Sequence, residues 1–158
     1  MALVIMQVPL DEIFDLRHRI LRAGLPPEEA HFHDDDHPDT WHVSVFDGDI
    51  NRLVSCASFM PSKLNSAPAW QLRGMATEVG YRGRGYGRQL LHWALPAIAG
   101  KTGIVNFWCN GRKDAAGFYE KMGWSRASGE FEIKGAGPHY IMAQQLPDSR
   151  SKRKRPSR

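Results

Sequence analysis

The stretch Glu78-Val79-Gly80-Tyr81-Arg82-Gly83-Arg84-Gly85-Tyr86-Gly87-Arg88 packs four glycines and three arginines into eleven residues. Glycine loses the most backbone freedom when fixed in a helix or strand, and it alone enters the left-handed region at no steric cost. The segment is therefore a turn, and its flanks decide the fold. Ala69 to Thr77 on one side reads as a strand, while on the other Leu90, Leu91, Ala94, Leu95 and Ile98 recur on one face of a helix, with His92 and Pro96 opposite. A strand that turns through glycines into a helix belongs to a mixed α/β chain.

The same turn has a chemistry. Without Cβ atoms, successive backbone N–H groups can point inward and an anion can come close. A helix beginning near Gly85 adds unpaired amides and the positive end of its dipole. Arg82, Arg84 and Arg88 add mobile positive charge, and the extent of the cradle suits a diphosphate. The dinucleotide pattern G-x-G-x-x-G fails, because Gly83 and Gly85 would need a glycine where Arg88 stands. Gly100-Lys101-Thr102 mimics the end of a P-loop, but the required upstream glycine is Leu95.

Elsewhere the pattern alternates between helix and strand. Leu3 to Ile5 is a short apolar start; Ile13, Leu16 and Ile20 then recur at helical spacing, with Asp11 expected at the N-cap and Gly24 as the stop. Leu25 to Thr40 reads as a loop or broken helix. Trp41, Val43 and Val45 alternate with His42 and Ser44, and Asp47-Gly48 is expected to supply positive φ for a hairpin into Ile50 to Phe59. Pro61 to Pro68 reads as a polar connection, and Gly100 as the end of the long helix, bent at Pro96. Ile104 to Cys109 is a central strand, Asp114 the cap of a brief helix whose Ala115, Phe118, Tyr119 and Met122 share a face, and Gly123 its C′ residue. Glu130 to Lys134 and His139 to Leu146 close the chain as a strand pair. The expected fold class is α+β (mixed α/β): a mainly antiparallel sheet of about six to seven strands flanked by helices.

Composition limits the function classes. With 158 residues, 42% hydrophobic and 24% charged, the chain has the makings of one packed domain over residues 1–147, with a basic tail over 148–158. The net charge is +4, yet Ser149 to Arg158 holds six of the 21 basic residues, which leaves 15 basic against 17 acidic in the body. The body has no surface bias toward nucleic acid, so a nucleic-acid partner is not expected. No apolar run approaches the ~20 residues of a membrane span and the start has no signal-peptide form, so no membrane and a cytoplasmic location are expected. Cys56 and Cys109 lie in strand-like runs and read as buried free thiols. The run from His31 to Asp39 has donors for a metal but no regular spacing; it reads as a solvated loop or a negative rim attracting a cationic amine, and no metal is expected.

Two motifs together resemble the GNAT superfamily of N-acetyltransferases. Arg82, Gly85 and Gly87 fill its Gln/Arg-x-x-Gly-x-Gly/Ala acetyl-CoA motif between strand and helix. Ala115-Ala116-Gly117-Phe118-Tyr119-Glu120-Lys121-Met122-Gly123-Trp124 is similar to its A-x-x-F-Y-E-K-x-G-F element. The specific match spans Trp70 to Trp124, and the order of elements extends it over Trp41 to Leu146. The resemblance implies acetyl-CoA as co-substrate and a GNAT-like fold. It implies that Arg82, Gly83, Arg84, Gly85, Tyr86, Gly87 and Arg88 bind the diphosphate, and that Met75, Ala76 and Thr77 pair with the pantetheine arm. The Met75 N–H would polarise the thioester carbonyl and Tyr119 would protonate the departing thiolate. Arg112 stands where many relatives carry asparagine, with Asn110 two residues earlier, and both are candidate contacts to the pantetheine region.

The base cannot be carried over, since Gln71, Leu72 and Arg73 stand where some relatives place a glutamate. Glu78, Glu130, Glu132 and His139 are candidates, with Glu132 and His139 preferred because they flank the loop before the last strand. The expected activity is acetyl transfer to a primary amine by direct attack in a ternary complex. The alternatives are a CoA-binding module without catalysis, or a nucleic-acid-associated protein acting through its tail; a homodimer is also considered.

Overall fold

The computed structural model describes residues 2–147, so the basic tail lies outside the described residues. The elements run β1 (Leu3–Val8), α1 (Leu10–Leu21), β2 (Trp41–Asp47), β3 (Arg52–Leu64), β4 (Ala67–Thr77), α2 (Tyr86–Thr102), β5 (Asn106–Arg112), α3 (Ala116–Lys121), β6 (Ser125–Arg126), β7 (Phe131–Ile133) and β8 (Gly137–Gln145). The strands form one sheet in the order β1-β2-β3-β4-β5-β8-β6, with β7 on β8. Eight strands replace the expected six to seven; the addition is β6, two residues long, which pairs with β8 through Ser125↔Ala143 and Arg126↔Met142. All recorded pairings are antiparallel except β4 with β5, which run parallel through Trp70↔Phe107 and Gln71↔Trp108.

The chain divides into two compact units, one holding the residues up to Pro61 with Leu72–Ala94, the other Ser62–Gln71 with the chain from Leu95 onward. In the first, Val8, Ile13, Leu16, Cys56 and Ala76 form a buried cluster where α1 lies on the strands. In the second, Phe107, Cys109 and Met142 are buried on β5 and β8. The apolar face expected for α2 is as the sequence indicates, with Leu90, Leu91, Ala94, Leu95 and Ile98 buried and Pro96 exposed.

Several local expectations give way. Helix α1 begins at Leu10 after Pro9, so Asp11 lies inside the first turn and caps nothing by hydrogen bond. Asp114 sits in a short 3-10 turn before α3 and likewise makes no cap bond. Helix α2 runs past Gly100 to Thr102 and stops at Gly103, which takes φ +78 and donates its N–H to the Ala99 carbonyl at 2.8 Å. The β2–β3 turn takes its positive φ at Asn51 (+53) and not at Gly48, whose missing Cβ would lie 2.9 Å from the Ala2 Cβ. Pro61 to Pro68 is not a connection but the end of β3 and the start of β4, joined by Asn65 and Ser66 at φ +50 and +68. Two central residues at positive φ form the turn that matches strand twist in two-residue hairpins.

Candidate active site

In the first unit β4 ends at Thr77 and α2 begins at Tyr86, and the glycine turn joins them. Gly80, Gly83 and Gly85 take φ +86, +79 and +82, and a Cβ at Gly80 or Gly83 would meet nothing within 4 Å. These glycines are thus required by backbone conformation and not by crowding. The first helical bond of α2 runs from the Gln89 N–H to the Gly85 carbonyl at 2.9 Å, which leaves the amides of Tyr86, Gly87 and Arg88 without helical acceptors. Arg82, Arg84 and Arg88 are exposed, and among the described residues none of them has an ion pair. Three cations beside the positive end of a helix repel the dipole and one another. A bound polyanion removes that conflict.

Tyr86 is buried, and its hydroxyl donates to Asp47 Oδ2 at 2.7 Å, so only its backbone is available to a ligand. Glu78 heads the turn and is 3% exposed. It accepts from Arg19 at 2.9 and 3.0 Å, from Arg52 at 2.8 Å and from the Val79 N–H at 3.1 Å. The Arg19 guanidinium first, with Arg52 and the amide behind it, holds this carboxyl at about 2 against the penalty of burial. A carboxylate held that low is a poor proton acceptor for an amine.

Strand β4 carries a break in its pleat just before Met75. Gly74 takes φ +65, the left-handed conformation that marks bulges inside strands. A Cβ there would lie 2.8 Å from the Phe32 ring and 3.0 Å from Arg17 Nε. Arg17 is completely buried, paired with Asp35 at 2.6 and 3.0 Å, donating to Ser58 Oγ at 2.7 Å and to the Ala30 carbonyl at 3.0 Å. His42 joins through Ser58 at 2.7 Å and the Asp35 carbonyl at 3.0 Å, and burial lowers its pKa, so it is neutral at pH 7. Asp35, expected on a solvated rim, is therefore the buried counterion of Arg17. The signal available in sequence was an arginine on the apolar stripe of α1, between Leu16 and Ile20; nothing distinguishes Asp35 from its acidic neighbours.

Phe32 collects two more guanidiniums, Arg73 at 4.3 Å and Arg22 at 5.7 Å from the ring centroid. Arg73 is half-buried and has no hydrogen bond or ion pair among the described residues. Burial first, then the like charges of Arg17 and Arg22, lower its pKa, while Asp35 and Asp34 oppose them. In the sequence, Arg73 stands out only as one of three residues where some relatives carry a glutamate. Among the described residues no group of three or more His, Cys, Asp or Glu side chains gathers as metal ligands would.

In the second unit Tyr119 is 9% exposed, against Trp124 at 5.3 Å and Phe118 at 5.2 Å. Of the expected face Ala115, Phe118, Tyr119 and Met122, only Tyr119 is buried; it is joined by Ala116, while Phe118 faces outward. The Tyr119 hydroxyl hydrogen-bonds the Cys109 thiol, and burial pushes its pKa well above the ordinary phenol value. The phenol is protonated throughout the physiological range. Burial also pushes both thiols, Cys56 and Cys109, up to about 12, so they remain free and unreactive.

The ladders fix which candidates share a face. Arg112 pairs with His139 and Asn110 with Ile141, while Gly111 pairs with Tyr140 and Cys109 with Met142. Directly paired residues lie on the same face, so Asn110, Arg112 and His139 stand opposite Cys109 and Gly111, the side against which Tyr119 packs. Glu132 pairs with Pro138 and Phe131 with His139, which puts Glu132 and His139 on opposite faces. The two preferred base candidates are not brought together. His139 is buried, and its Nδ1 lies 2.8 Å from the Gly137 carbonyl, an acceptor, so Nδ1 carries the hydrogen and Nε2 the lone pair in the neutral ring. Glu132 is exposed, and Glu130 is engaged by Lys113 at 2.9 Å.

Residues 39–126 match the family model of the acetyltransferase (GNAT) domain. The chain is 37% identical over 147 residues to an uncharacterized N-acetyltransferase, YitI, of Bacillus subtilis (strain 168), covering 90% of this chain and 96% of that one. The chain belongs to the GNAT family of acetyltransferases. Solved structures agree on the fold. The ribosomal-protein-S18-alanine N-acetyltransferase from Escherichia coli superposes with a TM-score of 0.71 at 17% identity, over 92% of this chain and 94% of that one. An aminoglycoside 6'-N-acetyltransferase complexed with coenzyme A does so at 0.66 and 18%, over 98% and 99%. GNAT membership makes the chain an N-acetyltransferase with a mixed, mostly antiparallel sheet, as the two motifs implied.

Proposed function

We propose that the chain moves the acetyl group of acetyl-CoA to a primary amine by direct attack in a ternary complex. The observation that carries the proposal is the turn between β4 and α2, with open glycine conformations, helix-start amides lacking acceptors and unpaired arginines at 82 and 88. That combination is a seat for the CoA diphosphate, with the Gly83 to Arg88 backbone and the side chains of Arg82, Arg84 and Arg88 as its parts. Met75, Ala76 and Thr77 would pair with the pantetheine arm, and Asn110 and Arg112 would border it.

The amine lone pair attacks the thioester carbonyl carbon, and the oxygen gains negative charge. A fixed amide at Met75, directed by the left-handed Gly74, would stabilise that oxyanion; such donors are worth about 3 kcal/mol. As the C–S bond breaks, the sulfur leaves as thiolate and takes the Tyr119 proton, while the amine loses its own to a base. His139 is the better base, because its Nε2 lone pair is defined by the ring's other bond. Glu132 is the alternative base.

The acceptor carries an anionic group. Arg73, two residues before Met75, and Arg22, just after α1, flank Phe32, and among the described residues neither makes a hydrogen bond or ion pair to a carboxylate. A half-buried guanidinium without a partner is costly, and a carboxylate on the acceptor would supply one. The test is thiol release from acetyl-CoA with matched amines, each amino acid against its carboxamide. Wild type should turn over the acids with kcat/KM about 10-fold higher, and Tyr119→Phe should lower kcat about 100-fold with little change in KM. No thiol release from any amine, or equal use of acid and carboxamide, would refute the respective part.

A further inference from the structure

The diphosphate turn leaves β4 through a single residue, Glu78, whose side chain is tied to two distant parts of the same unit. Arg19 of α1 donates to both carboxylate oxygens at 2.9 and 3.0 Å, and is itself held by Asp15 at 2.8 Å on the same helix. Arg52, at the start of β3, donates to Glu78 Oε1 at 2.8 Å. The backbone of Glu78 is fixed as well, since its N–H donates to the Val54 carbonyl at 2.8 Å and its carbonyl accepts the Tyr81 N–H at 3.0 Å. Its Oε2 also accepts from the Val79 N–H, the first amide of the turn.

The tie continues into the turn. Arg52 lies 5.7 Å from the Tyr81 ring centroid and Arg84 lies 4.8 Å from it. Arg84 also hydrogen-bonds the Tyr86 hydroxyl, which donates to Asp47. From Glu78 to Tyr86 the turn is therefore pinned at both ends by carboxylates, while its three left-handed glycines leave the middle free to sample many conformations. An anion cradle made of backbone amides binds well only if those amides are already aimed, because ordering several residues on binding costs about 1 kcal/mol or more for each.

We propose that Glu78, clamped by Arg19 and Arg52, is the positioning residue that preorganises the diphosphate-binding amides of residues 79–88. It touches no reacting atom. The clamp rests on the CoA reading above for its purpose, but its effect on the turn does not depend on a ligand. Two electrostatic consequences follow. Glu78, together with Asp15 on Arg19, neutralises Arg19 and Arg52, so that these cations do not act as a competing anion site. Replacing it removes one negative charge and leaves Arg52 without its carboxylate beside the turn, which by charge alone would strengthen diphosphate binding; weaker binding in the variant therefore reports lost preorganisation.

The test uses the full chain and its Glu78→Gln variant, with Arg52→Gln as a second variant that leaves the Arg19 pair intact. Hydrogen exchange of the ligand-free proteins should show the amides of 79–88 exchanging about 10-fold faster in Glu78→Gln, with β2 unchanged, and a smaller acceleration in Arg52→Gln. Calorimetric titration with CoA should show affinity falling about 10-fold in Glu78→Gln, with KM for acetyl-CoA rising in step and kcat at saturation changing less than about 2-fold. Unaltered exchange in 79–88, or CoA affinity that holds or rises in Glu78→Gln, would overturn the proposal. If wild type bound no CoA, the cofactor reading would fail, while the exchange experiment would still decide whether Glu78 orders the turn.

Discussion

A carboxylate gripped by two guanidiniums resists protonation, and Glu78 ties that resistance to the acid stability of the fold. Its folded pKa of about 2 lies below the ~4.3 of a free glutamate. A depressed carboxyl contributes stability that is fully present above the unfolded value and is lost as pH falls through the folded one. The window is therefore about pH 4.3 down to about 2. Both arginines are roughly half exposed, at 45% and 51%, so solvent screens the pairs and the contribution at pH 7 is about 1 kcal/mol. Urea unfolding of wild type and Glu78→Gln should differ by that amount at pH 7, by clearly less at pH 2.5, and converge only below about pH 2. A difference that persists undiminished at pH 2.5 would mean that the carboxylate charge is not its source. The buried Arg17–Asp35 pair shows the other regime, in which no solvent screens the charges and each partner requires the other.

At the level of elements, the β3–β4 hairpin makes a direct stability prediction. Asn65 and Ser66 both adopt positive φ, and serine has no intrinsic liking for that region. Ser66→Gly should raise unfolding free energy by about 0.5 to 1 kcal/mol, read as a higher urea midpoint with an unchanged slope. A lower midpoint would show that the serine side chain matters more than the backbone conformation. The same hairpin shows what was legible in the sequence. Helix α2 and the glycine turn were readable because apolar spacing and left-handed glycines are local signals. The hairpin was hidden because Pro61 and Pro68 lie within the strands, where they look like the edges of a loop. Asp11 and Asp114 resemble caps, but chain entry through Pro9 and the 3-10 turn at Lys113–Ala115 displace both helix starts. Gly74 and the Arg17–Asp35 pair were not readable, since both depend on contacts between residues far apart in sequence. The opposite placement of Glu132 and His139 is set by strand register, which composition cannot specify.

Across the whole molecule, the motif pair, the family match and the turn geometry all support the proposed reagent, a CoA thioester. The net acidity of the body makes the local basic character of 82–88 stand out, since no general positive field accounts for it. The central claim is that this turn grips a diphosphate, and calorimetry with two ligands at fixed salt tests it most directly. CoA carries the diphosphate and pantetheine does not. CoA should bind wild type at least about 10-fold more tightly than pantetheine, and Arg82→Ala combined with Arg88→Ala should remove most of that difference. Equal affinities for the two ligands, or a preference for CoA that survives loss of both arginines undiminished, would contradict the account.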